Sequence, residues 1–284
     1  MEIINRRQRM SSITRKLRRE SKTVGFVPTM GALHEGHLTL VKEARQMCDI
    51  VIVSIFVNPS QFGPGEDFAK YPRDLTADAA VLSEYGVNYV YAPETQEIFP
   101  DGFSTYVYVE GLTETLEGAS RPGHFRGVAT VVTILFNTVR PDFAFFGSKD
   151  AQQVGVIKRL TRDIGFETEI VVVPTVREES GLAMSSRNAY LTPELRQKAS
   201  IIYQALREAK IAFKNGELNG SKIAQIVQTK IESEPAARID YVAVVDNDAL
   251  EPVEKIDDKE VLVAAAVRFG KVRLIDNIVL NRRQ

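Results

Sequence analysis

His34-Glu35-Gly36-His37 places two of the chain's three histidines within four residues. An imidazole can donate, accept or carry charge, so a close pair suits a phosphate that must be held while its charge changes. An apolar segment, Thr23–Val27, precedes the pair, followed by the turn Pro28-Thr29-Met30-Gly31 and then Ala32-Leu33. After it, Leu38, Val41, Ala44 and Cys48 recur on one helical face. The histidines therefore stand where a strand hands over to a helix N-terminus, which gathers free N–H groups and the positive end of the helix dipole. Zinc is a poor explanation. The spacing is not His-Glu-x-x-His, and only His124 and Cys48 remain as further soft ligands. Short histidine patterns also occur where nothing binds. The strand-turn-helix setting and a distant hydroxyl-rich basic segment, Met184-Ser185-Ser186-Arg187, favour an adenylate-forming site.

Three other segments carry polar groups at element ends. Phe56–Gly63 opens from a strand into a Pro/Gly loop with Asn58 and Gln61, whose amides could meet a substrate mixing carboxylate and hydroxyls. Loop amides that face only water are an equal explanation. In Phe145–Gln153, Gly147 permits close backbone approach and Lys149 supplies a compact ammonium for phosphate. Asp150 there reads equally well as a plain helix cap. In Gly181–Asn188, two hydroxyls beside Arg187 can make charge-assisted bonds to phosphate, although Ser-Ser-Arg alone is also a common turn. Neither a Walker P-loop nor a Gly-x-Gly-x-x-Gly fingerprint occurs.

The elements that must position these groups alternate. Apolar runs at Val24–Val27, Ile50–Val57, Tyr89–Tyr91, Phe143–Phe146 and Glu169–Val173 read as strands buried on both faces. Helical patterns fall between them at Leu38–Cys48, Leu75–Tyr85, Val128–Val139 and Gln152–Ile164. Such alternation predicts an α/β fold, a Rossmann-like parallel sheet carrying the His-x-Gly-His element, with ligands beyond the carboxyl ends of its strands. After Pro174 the pattern becomes α+β. Pro193–Lys214 and Ser221–Ser233 read as helices, and Ile239–Val245, Glu260–Arg268 and Val272–Leu280 as strands, the last two joined by a hairpin at Phe269-Gly270-Lys271. The expected domains are 1–175, binding ATP and the acid substrate, and a smaller 176–284 acting as a lid.

With 284 residues, 44% hydrophobic and 26% charged, the composition is that of a globular chain. Its 36 Lys plus Arg against 37 Asp plus Glu give a net charge of −1, no argument for a nucleic-acid partner. The basic run Arg6–Arg19 could be a transit-type segment or a nucleic-acid patch, but Ile3, Ile4, Ile13 and Leu17 could line the buried side of a helix, leaving the charges solvated. No apolar stretch is long enough to span a membrane. One cysteine leaves no internal disulfide and fits a reducing, cytoplasmic location.

Taken in order, Pro28–His37, Asn58-Pro-Ser-Gln-Phe-Gly63, Arg121-Pro-Gly-His-Phe-Arg-Gly127, Phe146–Gln153 and Met184–Arg187 resemble the pantothenate synthetase (pantoate–β-alanine ligase) family, from near residue 20 to the C-terminus. The resemblance implies kinship with class I aminoacyl-tRNA synthetase-like nucleotidyltransferases. It implies ATP-dependent condensation of (R)-pantoate with β-alanine through a pantoyl-adenylate, with Mg²⁺ accompanying the nucleotide and a homodimeric assembly. Carried over by motif, ATP meets Met30, Gly31, Ala32, Leu33, His34, Glu35, Gly36 and His37. It also meets Gly147, Ser148, Lys149 and Asp150, then Val176, and finally Met184, Ser185, Ser186 and Arg187. Gln61 and Gln153 bind pantoate, and Gln61 also borders the β-alanine site. His37, usually assigned as proton donor, is catalytic together with His34, Lys149 and Arg187. The metal ligands are not identified by the resemblance. Ser60 and Gly65 depart from the family pattern, and Ser148 occupies a variable position. Alternatives at this point are a related nucleotidyltransferase acting on a phosphorylated acceptor and a non-catalytic ATP-binding module. Gln61 and Gln153 favour a small hydroxyl-bearing acid over a second phosphate, which would want more Arg or Lys.

Overall fold

Val24–Val27 and Ile50–Val53 are the β-rich runs that a sheet buried on both faces demands, and they become its middle. The computed structural model describes residues 1–282. In the first part of the chain β1 (Glu2–Ile4) leads to α1 (Arg7–Arg19), β2 (Val24–Thr29), α2 (Glu35–Met47) and β3 (Ile50–Ile55). Then follow α3 (Leu75–Glu84), β4 (Tyr89–Tyr91), short helices α4 (Thr95–Ile98) and α5 (Leu116–Ser120), α6 (His124–Val139), β5 (Phe143–Gly147), α7 (Ala151–Ile164) and β6 (Glu169–Val173). The six strands pair in parallel in the order β1-β4-β3-β2-β5-β6. The direction of winding reverses between β2 and β5, and an open sheet binds ligands at such a switch point.

Pro28 helps open that point. The carbonyls of Thr23 and Thr29 face β3, where they accept from Ile50 and Phe56, whereas the Val24 carbonyl accepts from Asp142 next to β5. Alternation therefore turns the Pro28 nitrogen toward β5, and proline has no N–H to offer there. β2 and β5 pair only at Gly25 and Phe26, while β2 and β3 stay paired through Thr29.

Two expectations are corrected in this part. Ile3 and Ile4 belong not to the N-terminal helix but to β1, where Ile4 pairs beside Tyr91. Ile13 and Leu17 do line the buried side of α1. Glu169–Val173 is an edge strand with Glu169 and Val172 exposed, not one buried on both faces. A packed cluster of Val27, Val41, Ala44, Val51, Val53, Leu82, Val90 and Phe145 joins α2 and α3 to the sheet.

The chain divides into two compact units. One comprises Met1–Ser148 with Val156–Pro174, the other Lys149–Gly155 with Thr175–Gln284. The second contains α8 (Pro193–Lys198), α9 (Ile201–Lys214) and α10 (Gly220–Glu232), then β7 (Ala237–Asp246), β8 (Val261–Phe269) and β9 (Val272–Leu280) as an antiparallel sheet in that order. The single helix expected over Pro193–Lys214 is broken at Ala199-Ser200, where the Ser200 hydroxyl bonds the Gln197 carbonyl. The hairpin between β8 and β9 turns at Gly270-Lys271, with Gly270 in the left-handed region (φ 58°). Ile202, Leu206, Ile223, Val227 and Ile231 from the helices pack on Val263, Val267, Phe269 and Leu274 of the sheet, a core separate from that of the first unit.

Candidate active site

The first unit holds the histidine element in a turn that glycine makes possible. Gly31 has φ 81°, and a Cβ there would lie 2.8 Å from a carboxylate oxygen of Asp78. Asp78, buried on α3, accepts from the backbone N–H of Ala32 at 3.0 Å and of Leu33 at 2.9 Å. Thr29 completes the clasp, accepting from the Gly31 N–H at 3.2 Å and donating to the Ser54 carbonyl at 2.7 Å. Ala32, though it has a Cβ, is held at φ 50°, a conformation that costs about 1 kcal/mol or more and persists only when its surroundings enforce it.

His34 caps α2. Its Nδ1 accepts from the Gly36 N–H at 3.1 Å, and the Nδ1 of His37 accepts in return from the His34 N–H at 3.3 Å. This is a capping box built from two imidazoles, with ring centroids 4.1 Å apart. An accepting Nδ1 carries no proton in these contacts. The neutral ring then bears its N–H on Nε2. The cap thus sets the chemistry of the opposite ring edges, turning both imidazoles into Nε2–H donors at the positive end of a helix.

The Asn58–Gly63 loop is braced from beneath. Asn58, 1% exposed, accepts from the Ser60 N–H and hydroxyl and donates to the Gln61 amide oxygen at 3.0 Å and the Gly127 carbonyl at 3.2 Å. Gln61 directs its amide nitrogen to the Met30 sulfur at 3.2 Å, which brings the expected pantoate and nucleotide residues of this unit together. Gly127 makes room. A Cβ there would sit 2.3 Å from the Ser60 carbonyl oxygen. The Arg121–Gly127 motif is therefore a buttress. Arg121 forks onto Glu66 with two 2.8 Å contacts, and its guanidinium lies 3.1 Å from the His124 Nε2. His124 Nδ1 lies 2.8 Å from the Gln61 carbonyl. Arginine can only donate, so Nε2 accepts and the His124 proton sits on Nδ1, aimed at that carbonyl. Burial, reinforced by the charge of Arg121, holds the His124 pKa down to about 4. Burial also pushes Glu66 up, but Arg121 outweighs it and leaves the carboxyl below its ordinary range.

Gly147 ends β5, and a Cβ on it would meet no protein atom within 4 Å. Ser148, Lys149 and Asp150 form a 3-10 turn that runs directly into α7, with Asp150 the residue just before its first turn. Lys149, Asp150 and Gln153 group with the second unit. There the Lys149 carbonyl accepts from the Asn277 amide at 2.8 Å. Val176 and Met184 face each other across a tight turn, the Met184 N–H bonding the Val176 carbonyl at 3.0 Å. Ser185 caps the next 3-10 turn (Ser186–Tyr190) by accepting from the Arg187 N–H at 3.3 Å. Asn188 bonds Glu178 at 2.7 Å and the Ala183 carbonyl at 3.1 Å, and Glu178 is also forked by Arg196.

Sequence reasoning missed Asp78, Arg177, Asp276 and Asn277. A carboxylate buried on a helix, and Asp-Asn amid the apolar residues of β9, were the signals open to it.

A doubly wound parallel sheet with an imidazole-capped helix N-terminus beside its switch point, followed by an α+β unit, defines the class: an α/β enzyme. The chain belongs to the pantoate–β-alanine ligase family, a family of carbon–nitrogen ligases whose model matches residues 2–279. It is 54% identical over 280 residues to the pantothenate synthetase of Heliobacterium modesticaldum, covering 99% of each chain. The crystal structure of pantothenate synthetase from Thermus thermophilus superposes with a TM-score of 0.91 at 46% identity, over 98% of this chain and 99% of that one. The Francisella tularensis pantoate–β-alanine ligase, crystallised with "Beta-gamma ATP" and β-alanine, gives 0.81 at 36% identity, over 98% and 97%.

Proposed function

We propose that this enzyme condenses (R)-pantoate with β-alanine in two steps. A pantoate carboxylate oxygen attacks the α-phosphorus of ATP and expels pyrophosphate, giving pantoyl-adenylate. The β-alanine amine then attacks the acyl carbon, loses a proton and expels AMP. The first step answers a chemical need: a carboxylate is a poor electrophile, and the mixed anhydride gives it a good leaving group. Family membership supports the overall reaction, and the reciprocal imidazole cap is the observation that carries the nucleotide assignment.

In this reading Met30–His37, Gly147–Asp150, Val176 and Met184–Arg187 hold ATP. Gln61 and Gln153 take the pantoate hydroxyls, and Gln61 borders β-alanine. The step joins an acid to a polyanion, and two like unit charges about 4 Å apart repel by roughly 4 kcal/mol at an effective dielectric of 20. His34 and His37 offset this through Nε2–H donors and the α2 dipole, while Lys149 and Arg187 bring full charges, strongest where charge builds at the α-phosphate. The acidic proton assigned to His37 would leave from Nε2. Among the described residues no three His, Cys, Asp or Glu side chains gather to hold a metal. Mg²⁺ would therefore be bound chiefly by the phosphate oxygens, a mode this ion favours, and would neutralise their charge.

The test is ATP–pyrophosphate exchange without β-alanine. Exchange that requires pantoate, followed by pantothenate formation when β-alanine is added, is the expected result. Exchange independent of pantoate would favour a related nucleotidyltransferase, and ATP binding without exchange would leave only a nucleotide-binding module. No helix among the described residues is long and apolar enough to cross a membrane. A cytoplasmic location and a homodimer complete the proposal, the latter checked by light scattering.

A further inference from the structure

Two neighbouring residues of β9, Asp276 and Asn277, reach opposite faces of the small sheet, as strand alternation requires. Both are buried, at 4% and 9% exposure. On one face Asp276 receives a forked pair of bonds from Arg177 at 2.6 and 3.0 Å. Arg177 in turn donates to the Gly181 carbonyl at 3.1 Å and lies 3.7 Å over the Tyr203 ring. Its backbone pairs with Ala183 across the turn that leads into Met184–Arg187. On the other face Asn277 donates its amide to the Lys149 carbonyl. The two residues are also tied to each other, the Asn277 N–H bonding the Asp276 carboxylate at 2.8 Å.

From this geometry we infer that Arg177, Asp276 and Asn277 are positioning residues that fix the Lys149 turn and the Met184–Arg187 turn as one body, so that the lysine and the arginine are presented in a set relation. The inference rests on the nucleotide assignment above. The physical case is the cost of the arrangement. A buried carboxylate and guanidinium give up much of their hydration, and losing one partner of such a pair is strongly destabilising. A purely structural need could be met by apolar residues of the same volume. The forked pair instead fixes distance and angle. Gly181 shows how close the fit is. Its φ is 91°, and a Cβ would lie 2.7 Å from a Tyr203 ring carbon. Asn277 has the same character, since it directs a buried amide at a backbone carbonyl 128 residues earlier in the chain.

Two variants of the full-length enzyme test this, Asn277→Asp, which keeps the size but when ionised cannot donate to a carbonyl, and Arg177→Lys, which keeps the charge but loses the fork. Amide hydrogen exchange is read at Lys149–Gln153, Val176–Arg187 and, as a control, Met30–His37, beside kcat, the KM for ATP and the melting temperature. Asn277→Asp is expected to speed exchange at Lys149–Gln153 about tenfold, and Arg177→Lys to do so at Val176–Arg187 and at Lys149–Gln153 together. Both leave Met30–His37 unchanged, and kcat falls at least tenfold with KM for ATP within about threefold. A lowered melting temperature with wild-type kcat would reduce the network to plain stability and overturn the inference, as would faster exchange in one segment only for Arg177→Lys. The exchange readout needs no turnover. A wild-type protein without pantoate-dependent exchange would therefore sink the functional reading while the coupling was still measured. If Asn277→Asp does not fold, Arg177→Lys alone decides between these outcomes.

Discussion

A buried imidazole shows most directly how single residues hold the site. His124 is wedged between Arg121 and the Gln61 carbonyl, so its charged form is excluded and its pKa lies at about 4. In the unfolded chain a histidine titrates near 6.5. Between those values the unfolded state binds the extra proton, so stability rises with pH across the interval. The contribution is therefore complete above about pH 6.5 and lost as the pH falls toward 4, a change of about 3 kcal/mol. Urea unfolding at a series of pH values should show this slope in the wild type and a markedly flatter one in His124→Gln. Equal slopes would mean that the ring is not buried neutral. Because His124 braces the backbone of Gln61, the same acidification should loosen the Asn58–Gly63 loop before the whole chain unfolds.

At the scale of an element, the two side chains that cap the N-terminus of α2 are the same two to which the proposed function gives a chemical task. Replacing either histidine by alanine removes both functions, and the lost cap alone costs about 1 kcal/mol. Substitutions that keep one function separate them. His34→Asn retains an acceptor for the Gly36 N–H, and His37→Gln restores the commoner capping-box partner, yet neither has an imidazole, and the amide N–H of each lies at a different place from the ring Nε2–H. Both should melt within about 2 °C of wild type, while pyrophosphate release falls at least a hundredfold, a loss typical of removing one preorganised donor. Near-normal release from His34→Asn would show that the first imidazole serves the helix and not the phosphate.

Each of the two units has a buried apolar cluster of its own, and each should report on itself. Ile223 is fully buried among the α9, α10 and sheet residues of the second unit. Truncating it to alanine costs about 2–5 kcal/mol through lost burial and the cavity left behind. Calorimetry of Ile223→Ala should lower one heat-absorption peak and leave the other in place, as chains of more than one domain commonly behave. A single peak moving as a unit would show that the two cores melt together. The grouping of Lys149–Gly155 with the second unit also bears on the proposed function at this scale, since Lys149 and Gln153, one of the two glutamines proposed to take pantoate, then belong with Arg187 and not with the histidines.

The sequence alone determined what is local in this protein. Alternating apolar runs set the parallel strands and their helices, Gly270 set the last hairpin, and the order of five short motifs identified the family, because period, turn chemistry and motif are written in adjacent residues. It also located the histidine element at a strand-to-helix turn. It could not say that the two rings cap each other, since that depends on side-chain rotamers, nor that Ile4 joins a strand and not a helix, since three residues carry no period and the pairing with Tyr91 is non-local. Asp78 clasping Ala32 and Leu33, His124 supporting Gln61, and Asn277 holding Lys149 join residues 45 to 128 positions apart. Only packing brings such partners within reach. The cost of burying a polar group without a bond then decides which of them must meet.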